Sequence, residues 1–136
     1  MDTEGLRGFC LGFNGVSEEN PFPRDAEVTV FKVGGKIFAI SALGGEPLQV
    51  SLKCDPELAV RLRAEHAAIA PGWHLNKRHW NTVTLDGSLP DRMVREMIED
   101  SYDLIVSRLP RAEQLRLDWA GTTVERDGAE GGGGTR

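Results

Sequence analysis

Lys77 and Arg78 stand in the run Pro71-Gly72-Trp73-His74-Leu75-Asn76-Lys77-Arg78-His79-Trp80-Asn81-Thr82-Val83, which gathers two of the three tryptophans and two of the three histidines and contains no acid. A cation beside a planar ring is what a protein presents to a base and its phosphate, so nucleic-acid binding is the first chemistry to weigh. In that reading Lys77 and Arg78 contact phosphate and Lys53 and Lys36 extend the track. Trp73, His74 or Trp80 stack or wedge, and His79 shares the same tip. Each has a plainer alternative: Trp80 opens a strand and suits packing, Asn76 and Asn81 suit hydrogen bonds to their own backbone, and an exposed Lys-Arg pair is ordinary surface.

Other chemistries find less support. His66, His74, His79 and Cys54 have no recognised ligand spacing, and His74 and His79, five apart on a hairpin, would point to opposite faces, so no metal is expected. Gly34-Gly35-Lys36 lacks the first glycine of a phosphate loop and closes a hairpin instead of opening a helix. Cys54 would be reactive only if exposed beside Lys53, and a buried thiol is the commoner case. Ser101 and Tyr102 lie inside a helix, where the phenol seeks a buried partner. No nucleophile, base and carboxylate converge, so neither catalysis nor a cofactor is expected.

The chain has 136 residues, 40% of them hydrophobic, enough for one domain with a real core and too few for two of ordinary size. Its net charge of -5 would repel a polyanion at long range, so any nucleic-acid site must be a local patch. Residues 84 to 136 hold seven Arg against eleven Asp or Glu, whereas residues 71 to 83 carry Lys77 and Arg78 unopposed. Cys10 and Cys54 suggest neither a disulfide framework nor a zinc ribbon. With no membrane-length apolar run and no signal-peptide pattern, a cytoplasmic monomer is expected.

The elements that must position these residues are legible in outline. Leu6, Phe9, Cys10 and Phe13 repeat at helical spacing up to Asn14-Gly15, and residues 16 to 25, with Pro21 and Pro23, read as a loop. Glu27 to Val33 and Lys36 to Ser41 flank Gly34-Gly35, which predicts a type I′ hairpin. Its simple register places Thr29, Phe31, Val33, Lys36, Phe38 and Ile40 on the core face, and Val28, Val30, Lys32, Ile37, Ala39 and Ser41 on the other. Leu48, Val50 and Leu52 alternate as a half-buried strand, from which Lys53 would emerge beside Lys32. Asp55-Pro56 caps a helix to about His66. Trp73 to Asn76 and Trp80 to Leu85 predict a second hairpin tipped by Lys77-Arg78-His79. Ser88-x-x-Asp91 resembles a capping box opening the longest helix, at about 89 to 109, whose Glu96, Glu99, Asp100 and Asp103 read as solvated. Pro110 ends it. After a brief alternation through Leu115, Leu117 and Trp119, a glycine-rich tail from about residue 121 has too little to bury to stay ordered.

Four segments in order, Phe31-Lys32-Val33-Gly34-Gly35-Lys36-Ile37-Phe38-Ala39, Leu52-Lys53-Cys54-Asp55-Pro56, the Pro71 to Val83 run and Asp100-Ser101-Tyr102-Asp103-Leu104-Ile105-Val106, resemble the MmcQ/YjbR family over about residues 9 to 110. Asn14 departs from the proline usual in that family's first turn. The resemblance implies an α+β fold, a frataxin-like sandwich of antiparallel sheet (a three-stranded meander plus a hairpin) and helices, described for the family as a double-wing DNA-binding motif. It supplies no catalytic residues. One domain over 1–110 with an extension over 111–136 is therefore expected, with DNA as the partner. The alternative is a small planar or anionic ligand, drug-like in character, or a protein, held in a groove lined by Trp73, His74 and Trp80 at the sheet edge.

Overall fold

The computed structural model describes residues 1–22, 27–72 and 75–119. Trp73 and His74 lie outside the described residues, as does the tail from about residue 121 that was expected to be disordered. Helix α1 (Thr3–Leu11) starts where the Asp2 carboxylate accepts from the Gly5 N–H, and it buries Leu6 and Cys10 as its spacing requires. Six strands follow the order β1-β2-β3-β4-β6-β5: β1 (Val16–Glu19), β2 (Val28–Val33), β3 (Lys36–Ala42), β4 (Gln49–Lys53), β5 (Ile69–Pro71) and β6 (Trp80–Thr84). Every pairing is antiparallel. Helix α2 (Pro56–Glu65) packs on β5 and β6, and α3 (Asp91–Val106) crosses β2, β3 and β4. This is the expected α+β class with a larger sheet than the meander and hairpin foreseen.

Strand β1 falls where a loop was expected. Its four residues carry two consecutive glutamates, a poor strand signal, yet each acid finds a cation: Glu18 meets Arg7 of α1 at 2.9 Å and Glu19 meets Lys32 at 3.0 Å. Charged side chains also suit an edge strand, where they discourage pairing with another chain. The second hairpin differs too: β5 ends at Pro71, and Leu75 and Asn76, expected in its first strand, belong to no strand.

The Gly34-Gly35 turn adopts the expected form, with φ of 60° and 78°. The register beyond it does not. Lys32 pairs with Ile37 but Phe31 pairs with Ala39, so Phe38 is an extra residue, a bulge that reverses the faces of β3 after it. Phe38 and Ala39 both enter the core, Ser41 is buried, and Ile40, expected inside, pairs with Val30 on the other face. Ser101 of α3 explains how the bulge is tolerated: its hydroxyl donates to the Phe38 carbonyl at 2.6 Å and accepts from the Lys53 N–H at 2.9 Å. One buried side chain thus satisfies two backbone groups that the interrupted β3–β4 ladder leaves over.

The core joins Leu6, Phe31, Phe38, Val50, Leu52, Val83 and Ile98, each worth about 1.5–3 kcal/mol if fully buried. The Tyr102 ring stacks on Phe13 at 4.6 Å and meets Phe38 edge-on, and its hydroxyl donates to the Asn14 carbonyl at 2.8 Å. Asn14 also donates through Nδ2 to the Leu117 carbonyl, a bond that proline could not make. That bond tethers α4 (Arg111–Arg116), unforeseen in the sequence, beside Trp119, whose indole N–H donates to Asp103. Ser88 does not cap α3: Asp86 accepts its N–H and hydroxyl, and Pro90 stands at the cap. No described helix is long and apolar enough to cross a membrane.

Candidate nucleic-acid interface

The connection between β5 and β6 is built from its own backbone outward. Gly72 donates to the Trp80 carbonyl at 2.8 Å, so close an approach that a Cβ on Gly72 would stand 2.8 Å from Trp80 Cβ. The Asn76 carbonyl accepts from the N–H groups of His79 and Trp80, and Asn76 Oδ1 accepts from the Arg78 N–H at 2.9 Å. This is the local role expected of Asn76. Asn81 behaves otherwise: buried, it accepts from Arg63 at 2.9 Å and its amide reaches the Ala59 carbonyl of α2. Arg63 donates as well to the Lys77 carbonyl at 3.0 Å, locking the turn to the helix beneath it.

The result is a fixed backbone carrying free cations. Lys77 and Arg78 are exposed, while His79 and Trp80 are half-buried. The Lys77 ammonium lies 3.4 Å from the Gly72 carbonyl. Among the described residues, no carboxylate lies within 4.0 Å of Lys36, Lys53, Lys77 or Arg78, whereas Arg7, Lys32, Arg92 and Arg116 all have such partners.

Pairing of Lys53 with Trp80 brings β4 to the same end of the sheet. Lys53 does not emerge beside Lys32, because β3 intervenes and Lys32 turns to Glu19. Burial lowers the pKa of the Lys53 ammonium, and repulsion from Arg108 and Lys36 lowers it further. Arg108, 55 positions from Lys53, was not singled out in the sequence.

A separate small cavity lies under α2 and α3, lined by Leu52, Cys54, Leu58, Met97 and Asp100 among others. Burial, with Asp55 and Asp100 nearby, pushes the Cys54 thiol up to about 11, and burial alone takes Cys10 to about 12. Both stay protonated at neutral pH and are poor nucleophiles. No group of three or more His, Cys, Asp or Glu among the described residues is placed to hold a metal ion.

The YjbR family model matches residues 11–104, spanning the sheet, the basic turn and most of α3. The chain belongs to the YjbR family. The Escherichia coli K-12 protein YjbR is 38% identical over 117 residues, covering 86% of this chain and 98% of that protein. YbdF of Escherichia coli O157:H7 is 37% identical over 97 residues, covering 71% of this chain and 79% of the relative. Among solved structures, a Deinococcus radiodurans protein with a DUF419 domain aligns with a TM-score of 0.80 at 39% identity, covering 86% of this chain and 88% of the other. A Pseudomonas syringae protein aligns at 0.67 with 27% identity, over 76% of this chain and 98% of the other.

Proposed function

We propose that this YjbR-family domain is a non-catalytic, monomeric, cytoplasmic protein that binds nucleic acid through the Lys77-Arg78 turn. Lys53 and Lys36 extend the contact, and His79, Trp73 and His74 supply ring surfaces. The observation that carries it is the pair of exposed cations on a hydrogen-bonded turn, without a carboxylate within 4.0 Å among the described residues, in a chain of net charge -5. Two adjacent exposed cations without an ion pair offer a polyanion phosphate contacts that ignore sequence. The non-catalytic reading is supported by the hydroxyls of Ser101 and Tyr102, both spent on backbone carbonyls, and by two thiols with raised pKa.

The test is fluorescence anisotropy of labelled duplex and single-stranded oligonucleotides at low salt. K77A/R78A should weaken binding uniformly across sequences and reduce the slope of log affinity against log salt by about 2, one for each lost phosphate contact. An unchanged affinity would remove this site.

One feature favours the second reading, a small planar or anionic ligand. Pro56, Glu57, Val60 and Arg63 line an open recess together with Lys77 and Arg78, and Val60 is 57% exposed there. A ligand there would raise the melting temperature and lose that effect in V60S.

A further inference from the structure

We infer that Trp80, with Lys53 beside it on the sheet face opposite the helices, is a stacking platform for an unpaired base of a single-stranded nucleic acid. This deepens the proposed function and rests on it for the polyanion, but it names a different contact and a narrower ligand.

The two faces of the sheet are used unequally. Leu6 and Cys10 of α1, Val94 and Ile98 of α3 and Leu117 just beyond α4 all join the core with Phe31, Val50 and Val83. Arg63 and Ala59 bring α2 to the same side, through their bonds to Asn81. Side chains alternate along a strand, so Trp80, Thr82 and Thr84 of β6 stand on the other face with their partners Lys53, Ser51 and Gln49 of β4. The hydroxyls of Ser51 and Thr82 meet there at 2.8 Å, and Gln49 donates to Thr84 at 3.0 Å. Trp80 is half-buried, yet it is not among the hydrophobic side chains that pack on the core, whereas Trp119 is.

The backbone around Trp80 is bonded on both sides. Its N–H donates to the Asn76 carbonyl at 3.0 Å, its carbonyl accepts from Gly72 at 2.8 Å, and the Cys54 N–H donates to the preceding His79 carbonyl at 2.8 Å. Lys53 is its direct partner on β4, which sets the two Cβ atoms about 4.5–5.5 Å apart. Its neighbour on the other side is Gly72, which contributes backbone and no side chain. Lys53 has no carboxylate within 4.0 Å among the described residues.

An indole next to an ammonium offers a base its ring and a phosphate its charge, a combination that suits any base because every base has a π-face. Lys77 and Arg78 precede Trp80 by three and two positions, so the cations and the ring belong to one continuous surface. A protein partner fits this face less well, because the Ser51–Thr82 and Gln49–Thr84 pairs interrupt the apolar area it would bury. A duplex also fits less well: its bases are stacked on one another and turn only their edges to the grooves.

The experiment is fluorescence anisotropy of the full chain at low salt with three labelled probes: oligothymidylate, an abasic phosphodiester chain of the same length, and a duplex. Oligothymidylate should bind more tightly than the abasic chain by about fivefold or more. W80L, which keeps an apolar side chain without a ring, should remove that difference and leave the abasic chain and the duplex bound as before. W80F, which keeps a ring, should restore much of it. A second measurement needs no variant: nuclear Overhauser contacts between thymine and Trp80 indole protons in the saturated native complex. Equal affinity of the native protein for oligothymidylate and the abasic chain, or no such contacts at saturation, overturns the platform even if W80L fails to fold. Oligonucleotide binding that is lost in K77A/R78A but unchanged in W80L rejects the platform and keeps the turn. Base-dependent affinity and Trp80 contacts that persist in K77A/R78A keep the platform and reject the turn. No binding of any probe overturns both.

Discussion

Two regions of the sheet treat polar groups in opposite ways. Beneath α3 and α2, Ser101, Asn81 and Asp103 are buried, and each has a specific partner: Phe38 and Lys53 backbone, Arg63, and the Trp119 indole. At the rim, Lys36, Lys53, Lys77, Arg78 and Arg108 have no carboxylate within 4.0 Å among the described residues. A buried group without a partner costs about 1–3 kcal/mol, whereas an exposed cation without one costs little because water solvates it. Matched polar groups therefore mark what holds this fold, whereas the rim cations contribute little to it. The two regions should respond differently to substitution.

The largest loss of stability is expected at the serine bridge. S101A leaves the Phe38 carbonyl and the Lys53 N–H without their partner at the bulge, at a cost of about 2–4 kcal/mol. A thermal melt should show a fall of roughly 5–10 °C, and an unchanged melting temperature would mean that the bulge is satisfied without the serine. Next comes G72A, where the added carbon would meet Trp80 Cβ at 2.8 Å and its carbonyl oxygen at 3.1 Å. Backbone atoms yield less readily than side-chain ends, so about 1–3 kcal/mol should be lost. The amides of residues 75 to 80 should lose hydrogen-exchange protection before the rest of the chain does.

Asp100 sharpens the comparison, because it is a half-buried carboxylate for which no cation lies within 4.0 Å among the described residues. Burial first, then repulsion from Asp103, Glu99 and Glu96, raises its pKa from 3.8 to about 6. The folded state holds this proton more tightly than the unfolded chain, so its stabilising effect is full below pH 3.8 and is lost as pH rises through about 6. D100N should raise the melting temperature at pH 7, and the gain should vanish as the pH approaches 4. A gain that persists at low pH would assign the effect to packing instead of charge. The smallest stability effect is expected at the rim: K77A/R78A should change unfolding free energy by less than about 0.5 kcal/mol while, under the proposed function, it weakens oligonucleotide binding. A large destabilisation there would place the pair with the matched groups and end the contrast.

Much of this was open to the sequence because it depends on neighbours in the chain. Asp55-Pro56 and Gly34-Gly35 act through capping and positive φ, so a cap and a turn could be read at once. The alternation of Val50 and Leu52 marked the buried side of β4, and the absence of acids from residues 71 to 83 marked a basic turn. Strand β1 escaped notice because its glutamates are paid for by Arg7 and Lys32, which no local pattern displays. The faces of β3 were misread because the bulge at Phe38 depends on a serine 63 residues away. The sequence by itself determined the element types, the sharp turns, the family and the sign of the charge at the basic run, since each is set by short-range sterics or composition. Tertiary structure alone decided the register beyond the bulge, the partners of Asn81 and Ser101 and the company of Lys53, because those follow from which distant groups must be satisfied once water is excluded.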